Sequence, residues 1–419
     1  MMKKKSLHFN LYKKISSKIG KDIVLYFCSF IPVGLEDYVE FFRENFVDFV
    51  YMFLKFPHSR DNKIKSEINL FNNRKKIYSK KLFNFKPAPN KFIYFILLPL
   101  YYMFYLFQIL IHFSQISNRH HSKFKLFMGV NYFCTLGGIF LKKIGKVDFV
   151  IYRVMDFFPL PPSGIYRLLN RIFYIIDRYC LKNADYLWFT TEGHIIGREK
   201  YGYFKRNKCA RYLIIPLGIN MQKFKVTSAD KIDRFSLVYC GIVSKYHLLD
   251  TMIDVVKNLK NKYPQIVLNI IGTGPDDRYF KEKIKKMGME RNIVMHGFIP
   301  SGEEFNKIVS KSVLGFALYK DEENFMKYTE PAKVKTYLSL GVPVVVSDVP
   351  QIAKEVEKCK VGFCVTNNKN EILKIVDTFI NNRELQTIYK NNIKEFAQKV
   401  DINYLLHEAF EKTFHLISL

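Results

Sequence analysis

The chain has 419 residues, 48% of them hydrophobic, and a formal net charge of +28. That length accommodates two domains of ordinary size, and that apolar fraction excludes a disordered chain. The charge is uneven: residues 1–220 carry 36 Lys and Arg against 14 Asp and Glu, the remainder 30 against 24.

A basic half invites nucleic acid or an anionic membrane surface, with the lysine bias of a low-GC genome as the bland explanation. No helix-turn-helix, zinc or RNA-recognition motif accompanies the charge, so no nucleic-acid partner is expected. The seven cysteines form no CxxC pair, and their odd number fits no disulfide framework. They read as reduced thiols of a cytosolic protein. The N-terminal MMKKKSLHFNLYKK is basic without an apolar core, unlike a signal peptide.

In chain order, Asp22 to Ile31 reads as a buried strand, bounded by Pro32 and Gly34, before a helix with apolar spacing at Leu35, Tyr38, Val39 and Phe42. Gly34 would let a ligand or loop approach the backbone. Phe46 to Leu54 reads as a second strand, and the basic stretch from Lys63 to Lys91 as exposed loop and helix.

Phe92 to Phe113 is a run of 22 residues without a formal charge. A helix of that length measures about 33 Å, enough for a bilayer core of about 30 Å. Basic flanks on both sides, the interruptions Pro99 and Gln108, and aromatics spread throughout argue against a span. A span would also put the first strand across the membrane from the rest of its sheet. The expectation is a monotopic interfacial segment, with a buried domain helix and a true span as alternatives.

Two more strand–turn–helix phrases follow, the second strand ending at Met155-Asp156. An amphipathic helix from Tyr166 to Lys182, a strand at ADYLWFTT and a helix opened by Thr191-Glu192 lead to YLIIPLGIN. There Pro216 and Gly218 permit a turn, and residues 1–217 close as a domain.

The alternation restarts over 218–395. Strands end at Cys240-Gly241, at Gly272-Thr273-Gly274-Pro275 and at His296-Gly297-Phe298. Leu314 to Tyr319 is a fourth strand. Pro331 then opens a helix with Val334, Tyr337, Leu338 and Leu340 on one face, ended by Gly341 and Pro343 before the buried strand Val344-Val345-Val346. Strands separated by helices imply a parallel doubly wound sheet, whose ligands bind beyond the strands' carboxyl ends. Every phrase just named is such an end, and the helix opened by Pro331 offers an N-terminus suited to phosphate. Asp276-Asp277 starts a helix, where carboxylates are ordinary caps, so no metal site is expected. From Asn370 the chain is helical, with 396–419 as a terminal segment.

The phrase PxKxxxYLxxGxPVVxSD, from Pro331 to Asp348, together with GTGP and HGF after their strands, resembles the nucleotide-sugar-binding domain of GT-B-fold glycosyltransferases, particularly family 4. The resemblance covers roughly residues 213–366. It implies an α/β fold of two facing doubly wound domains, with the terminal helix crossing back to the first. It implies transfer from a nucleotide-sugar with retention of configuration and without metal or other cofactor.

Its implied donor site comprises Gly34, Gly241, Gly272, Gly274, the His296-Gly297-Phe298 loop, Glu330, Pro331 and Thr336. Lys245 and Lys333 would grip the diphosphate. Asp156 would hold the acceptor hydroxyl, act as a base or contact sugar, unless it caps the turn before Pro159 or pairs with Arg153. The family's paired glutamates are replaced by Tyr328 and Thr336, its loop arginine by Ile242, and Glu330 is the nearby carboxylate that could substitute.

The basic, apolar-rich first domain suggests a lipid-linked or polysaccharide acceptor in cell-envelope synthesis. The protein would sit peripherally on the cytoplasmic face of an anionic membrane. A catalytically inactive scaffold and a soluble nucleotide-sugar epimerase of the same fold are the alternatives.

Overall fold

The computed structural model describes residues 22–30, 35–55, 65–85, 91–120, 123–161, 163–208, 211–224, 232–322 and 324–415. The chain divides into two units, one running to Thr190 and including His194–Ile214, the other holding Thr191–Gly193 and Ile215 onward.

The first unit contains β1 (Ile23–Ser29), α1 (Glu36–Asn45), β2 (Asp48–Phe53), β3 (Glu67–Asn72), β4 (Lys75–Lys81), α2 (Lys91–Ser117) and β5 (Phe124–Val130). It continues with α3 (Tyr132–Lys143), β6 (Phe149–Val154), α4 (Ile165–Asn183), β7 (Tyr186–Phe189), α5 (Glu192–Lys200) and β8 (Tyr212–Ile214). The strands form one sheet in the order β4-β3-β2-β1-β5-β6-β7-β8, parallel except where β3 and β4 join. Every residue of β1 is buried, as a strand covered on both faces requires. Leu25 lies opposite Phe49 on one side and Leu126 on the other.

Within the stretch expected as exposed loop and helix, residues 67–81 form instead the β3–β4 hairpin. Asn73 and Arg74 make its turn at φ 46° and 69°, the left-handed pair that a two-residue hairpin favours. Ile68 and Leu70 alternate inward on β3, a period of two that the surrounding lysines obscured. All seven residues of β4 are exposed.

The apolar run forms the longer helix α2, whose stretch Ile93–Ser117 is long and apolar enough to cross a membrane, with mean hydropathy 1.8. Its second half is packed: Tyr105, Ile109, Phe113 and Ile116 enter the core of this unit with Tyr26 and Phe127. Gln108, polar within the run, turns to the segment after β4, where its side chain bonds the backbone N–H and C=O of Phe83. On the other face Ile96, Leu100, Met103 and Phe107 are all more than half exposed.

The second unit contains β9 (Asp233–Cys240), α6 (Leu249–Lys260), β10 (Val267–Ile271), α7 (Asp277–Lys286), β11 (Ile293–Gly297), α8 (Glu303–Lys311) and β12 (Ser312–Ala317). Then come α9 (Ala332–Ser339), β13 (Val344–Ser347), α10 (Ile352–Lys358), β14 (Gly362–Val365), α11 (Lys369–Asn381), α12 (Arg383–Lys399) and α13 (Ile402–His415). Its six strands run β11-β10-β9-β12-β13-β14, every pairing parallel. The strand order reverses between β9 and β12, the switch point at whose crevice, beyond the strands' carboxyl ends, doubly wound sheets bind their ligands.

Candidate functional site

In the second unit three glycine turns are stitched into one rim. The N–H of Gly241, after β9, donates to Ile271 O at 2.9 Å, and that of Gly272, after β10, to Gly297 O at 2.7 Å. Gly241, Gly272 and Gly297 have φ of 141°, 136° and 72°, backbone that side chains disfavour. A Cβ on Gly272 would stand 1.9 Å from Gly241 O, and one on Gly274 2.1 Å from Val243 O. Only glycine lets these turns lie so close.

The crevice is closed beneath by Tyr337 of α9. Its hydroxyl accepts the N–H of Cys240 at 2.7 Å and donates to Phe316 O at 3.0 Å, tying the end of β9 to that of β12. Gly315 makes room for the ring, since a Cβ there would meet it at 2.7 Å.

One turn earlier on α9, Lys333 reaches into the crevice. Its Nζ lies 3.3 Å from Tyr239 Oη, 4.3 Å above the Tyr239 ring and 5.2 Å from the Tyr319 ring. A Cβ on Gly241 would be 3.0 Å from that nitrogen. No carboxylate among the described residues pairs with it, and enclosure by the two rings pushes its pKa down to about 7. His247 packs 5.6 Å from the Tyr319 ring, and burial, then Lys333, lowers it to about 4. The Tyr319 hydroxyl and His247 Nδ1 are buried without hydrogen-bond partners. An ammonium without a counter-ion, among unsatisfied polar groups, awaits an anion.

Glu330 turns away from this crevice. It is 7% exposed; its Oε2 accepts Leu217 N–H at 2.8 Å and its Oε1 lies 3.4 Å from Lys335 Nζ. Burial raises its pKa, against the pull of Lys335. It braces the segment at Leu217.

The first unit holds a separate cavity of about 380 Å³ at the carboxyl ends of β5 and β6, lined largely by aromatic rings. Asp156 lines it, and burial raises that carboxyl to about 6 although Arg198 works against the shift. Arg198 is committed elsewhere: its Nε is 2.9 Å from Asp177 Oδ2, and its Nη2 donates to the backbone O of Asp156 at 3.2 Å. Asp177 also accepts the hydroxyls of Tyr152 and Tyr203. Arg153, the neighbour that sequence offered to Asp156, donates to Tyr38 Oη at 2.7 Å. Asn131 enters the same cavity wall at φ 72° and ψ 169°, strained backbone for a side chain, held because its Oδ1 caps α3 at Phe133 and Cys134.

Residues 221–396 match the family "Glycosyl transferases group 1". The match lies within the second unit.

A chitobiosyldiphosphodolichol beta-mannosyltransferase of Candida albicans is 27% identical over 39% of this chain and 36% of its own. An uncharacterized glycosyltransferase of Haemophilus influenzae is 25% identical over 42% and 48%. The chain thus spans less than half of the length of each of these curated relatives. HepE of Anabaena, crystallised with UDP, shares the fold at a TM-score of 0.56 and 18% identity, over 73% of this chain and 82% of that one. The fold class is that of the GT-B structures, two Rossmann-like parallel-sheet regions in one chain.

Within the matched stretch, Gly241, Gly272, Gly274, Gly297 and Lys333 converge on one rim. Pro331 caps α9 and is buried, and Thr336 Oγ1 donates back to Ala332 O at 3.1 Å. His296 is bonded to Asn269 Oδ1 at 2.9 Å, and Phe298 stands out at 73% exposure. The Lys245 ammonium is set over the Tyr279 ring at 3.7 Å. Gly34 lies outside the described residues. Tyr239, His247 and Tyr319 went unnoticed in the sequence; they are an apolar-strand tyrosine, a loop histidine and a strand-end tyrosine, with no local signal beyond their places at strand ends.

Proposed function

We propose that the protein transfers a sugar from a nucleotide-sugar donor to a lipid-linked or polysaccharide acceptor during cell-envelope glycan synthesis. It would do so with retention of configuration and without a metal. The observation that carries this reading is the Lys333 ammonium, enclosed by Tyr239 and Tyr319 beside Gly241 with no carboxylate for partner. In the reaction the leaving diphosphate gathers negative charge. Lys333 and the N-terminus of α9 are the groups that meet it, stabilising the transition state more than the bound donor. Asp156, with its burial-raised carboxyl, is the candidate to orient or deprotonate the acceptor hydroxyl.

Two likenesses support the choice of partners: HepE was crystallised with UDP-glucose, and the Candida relative is named for a diphosphodolichol acceptor. The basic first unit and the exposed face of α2 support a peripheral place on the cytoplasmic face of an anionic membrane.

One observation favours the scaffold reading. Ile242, at the rim position where an arginine is expected, is 59% exposed and brings no charge. Thermal stabilisation against UDP-, GDP-, ADP- and CMP-linked sugars separates the two, because a ligand of the folded state raises stability by mass action. A shift with one nucleotide class supports the transferase and names the base. No shift with any class, in folded protein, leaves the scaffold.

A further inference from the structure

The wall of the Asp156 cavity differs in charge from the rest of its half of the chain. Ten of its sixteen lining residues are Phe or Tyr. Tyr132 and Phe173 stand with ring centroids 5.6 Å apart, Phe133 and Phe173 6.0 Å, and Tyr174 and Tyr203 4.5 Å. Its charged lining residues are Asp156, Asp177 and Arg198, two carboxylates against one guanidinium. Residues 1–220 as a whole carry 36 Lys and Arg against 14 Asp and Glu.

Most polar groups in that wall are spent within the protein. Asp177 accepts Arg198 Nε and the hydroxyls of Tyr152 and Tyr203. Arg198 also donates to the backbone O of His194 and of Asp156. Tyr174 Oη donates to Phe158 O at 2.7 Å, Asn170 Nδ2 to Pro159 O at 3.4 Å, and Asn131 Oδ1 caps α3. The hydroxyls of Tyr102 and Tyr132 and the Asn131 amide N–H remain. With them remains one charge, the Asp156 carboxylate, which no group among the described residues bonds.

The cation beside it, Arg198, is already balanced by Asp177. An ionised carboxylate among rings costs free energy until a cation joins it. Aromatic faces carry partial negative charge and attract the same cation, which is how rings hold quaternary ammonium groups. A neutral guest stacks on the rings but leaves the charge uncompensated. The cavity has room at about 380 Å³, and it reaches the surface at Phe158, which is 51% exposed.

We infer that the Asp156 cavity binds an organic cation, an alkylammonium group carried by the acceptor, with Asp156 as its counter-ion and the rings as its cage. Naming the carrier the acceptor rests on the transferase reading above; the cation site itself does not.

The probes are choline and its neutral isostere 3,3-dimethylbutanol, titrated by calorimetry into the full-length protein at pH 8 and constant ionic strength. Choline is expected to bind at least about tenfold tighter than the isostere, within the worth of a desolvated cation among rings. Asp156→Asn keeps the shape and removes the charge. It is expected to weaken choline at least about tenfold and to leave the isostere unchanged. Phe173→Leu, at a partly buried position, removes one ring and is expected to weaken choline more than the isostere. Thermal unfolding of both variants confirms that they are folded. Equal affinity for the two probes in the natural protein, or the full preference for choline kept in Asp156→Asn, overturns the inference. No saturable choline binding overturns it too, as does glucose binding tighter than choline, which makes the cavity a neutral sugar pocket.

Stabilisation by the four classes of nucleotide-sugar, read on the same samples, reports on the donor reading by itself. A choline preference without any nucleotide shift overturns that reading and leaves the cation site. A nucleotide shift without a choline preference overturns the cation site and leaves the reading.

Discussion

Lys333 carries a conditional charge, and that makes the donor site testable by pH. An ordinary lysine titrates near 10.5, whereas burial between Tyr239 and Tyr319 brings this one to about 7. At pH 8 about one molecule in ten of the free protein carries the charge. A diphosphate beside the ammonium favours the charged form and returns the pKa toward its ordinary range. Binding of UDP at pH 8 therefore takes up about 0.9 proton, and its affinity falls by about tenfold for each pH unit above 7.

The neighbours do not confuse the signal. His247 is neutral in this window because burial holds it near 4, and burial pushes Cys240 up to about 12. Calorimetry of UDP binding at pH 8, in buffers of unlike ionisation enthalpy, measures the proton directly. Lys333→Ala abolishes the uptake and weakens UDP by about 1.5–3 kcal/mol, the value of a charged hydrogen bond, while uridine binds as before. Equal loss for UDP and uridine, or unchanged uptake in the variant, would refute the reasoning. The ligand-free fold follows the same linkage. The unfolded chain holds the proton that folded Lys333 has shed, so this group adds stability as pH rises from 7 toward 10.5.

Asp156→Asn is expected to leave donor binding intact while lowering transfer by about 10²–10⁴-fold. In the natural protein the rate rises as pH passes through about 6, where the buried carboxyl ionises; wild-type rates in the variant would remove Asp156 from the reaction. Gly272→Ala forces a Cβ to within 1.9 Å of Gly241 O in backbone of φ 136°. It should destabilise by at least about 2 kcal/mol in urea titration and abolish the nucleotide shift. Tyr337→Phe leaves the buried Cys240 N–H without its 2.7 Å acceptor, a loss of about 1–3 kcal/mol by the same titration.

The second unit was legible because its buried strands end in glycine phrases, and the chemistry of glycine at strand ends is local. The rim of Gly241, Gly272 and Gly297 could therefore be read before any contact was known. The hairpin of Glu67–Lys81 was not, because its lysines mask a period of two that becomes visible only once Ile68 and Leu70 are known to face inward. Glu330 illustrates a different limit. A carboxylate next to a helix start suggests a ligand, yet its use depends on Leu217, 113 residues earlier in the chain. The cluster of Tyr239, His247, Tyr319 and Lys333 likewise exists only after three separate segments have been folded together. Asp156 could be placed at a strand end from sequence, but not the burial that raises its carboxyl.

Strand β4 has a consequence for how copies of this chain meet. It is the last strand of the eight-stranded sheet, and its outer backbone edge is unpaired within that sheet. Left plain, such an edge is a template for a neighbour's strand. Here Lys75, Lys76, Lys80 and Lys81 crowd it, all exposed. Two molecules aligning these edges would bring eight ammonium groups together before the first shared hydrogen bond formed. The hairpin thus ends the sheet chemically as well as geometrically, and copies of a basic, apolar-rich chain are kept from joining through this edge.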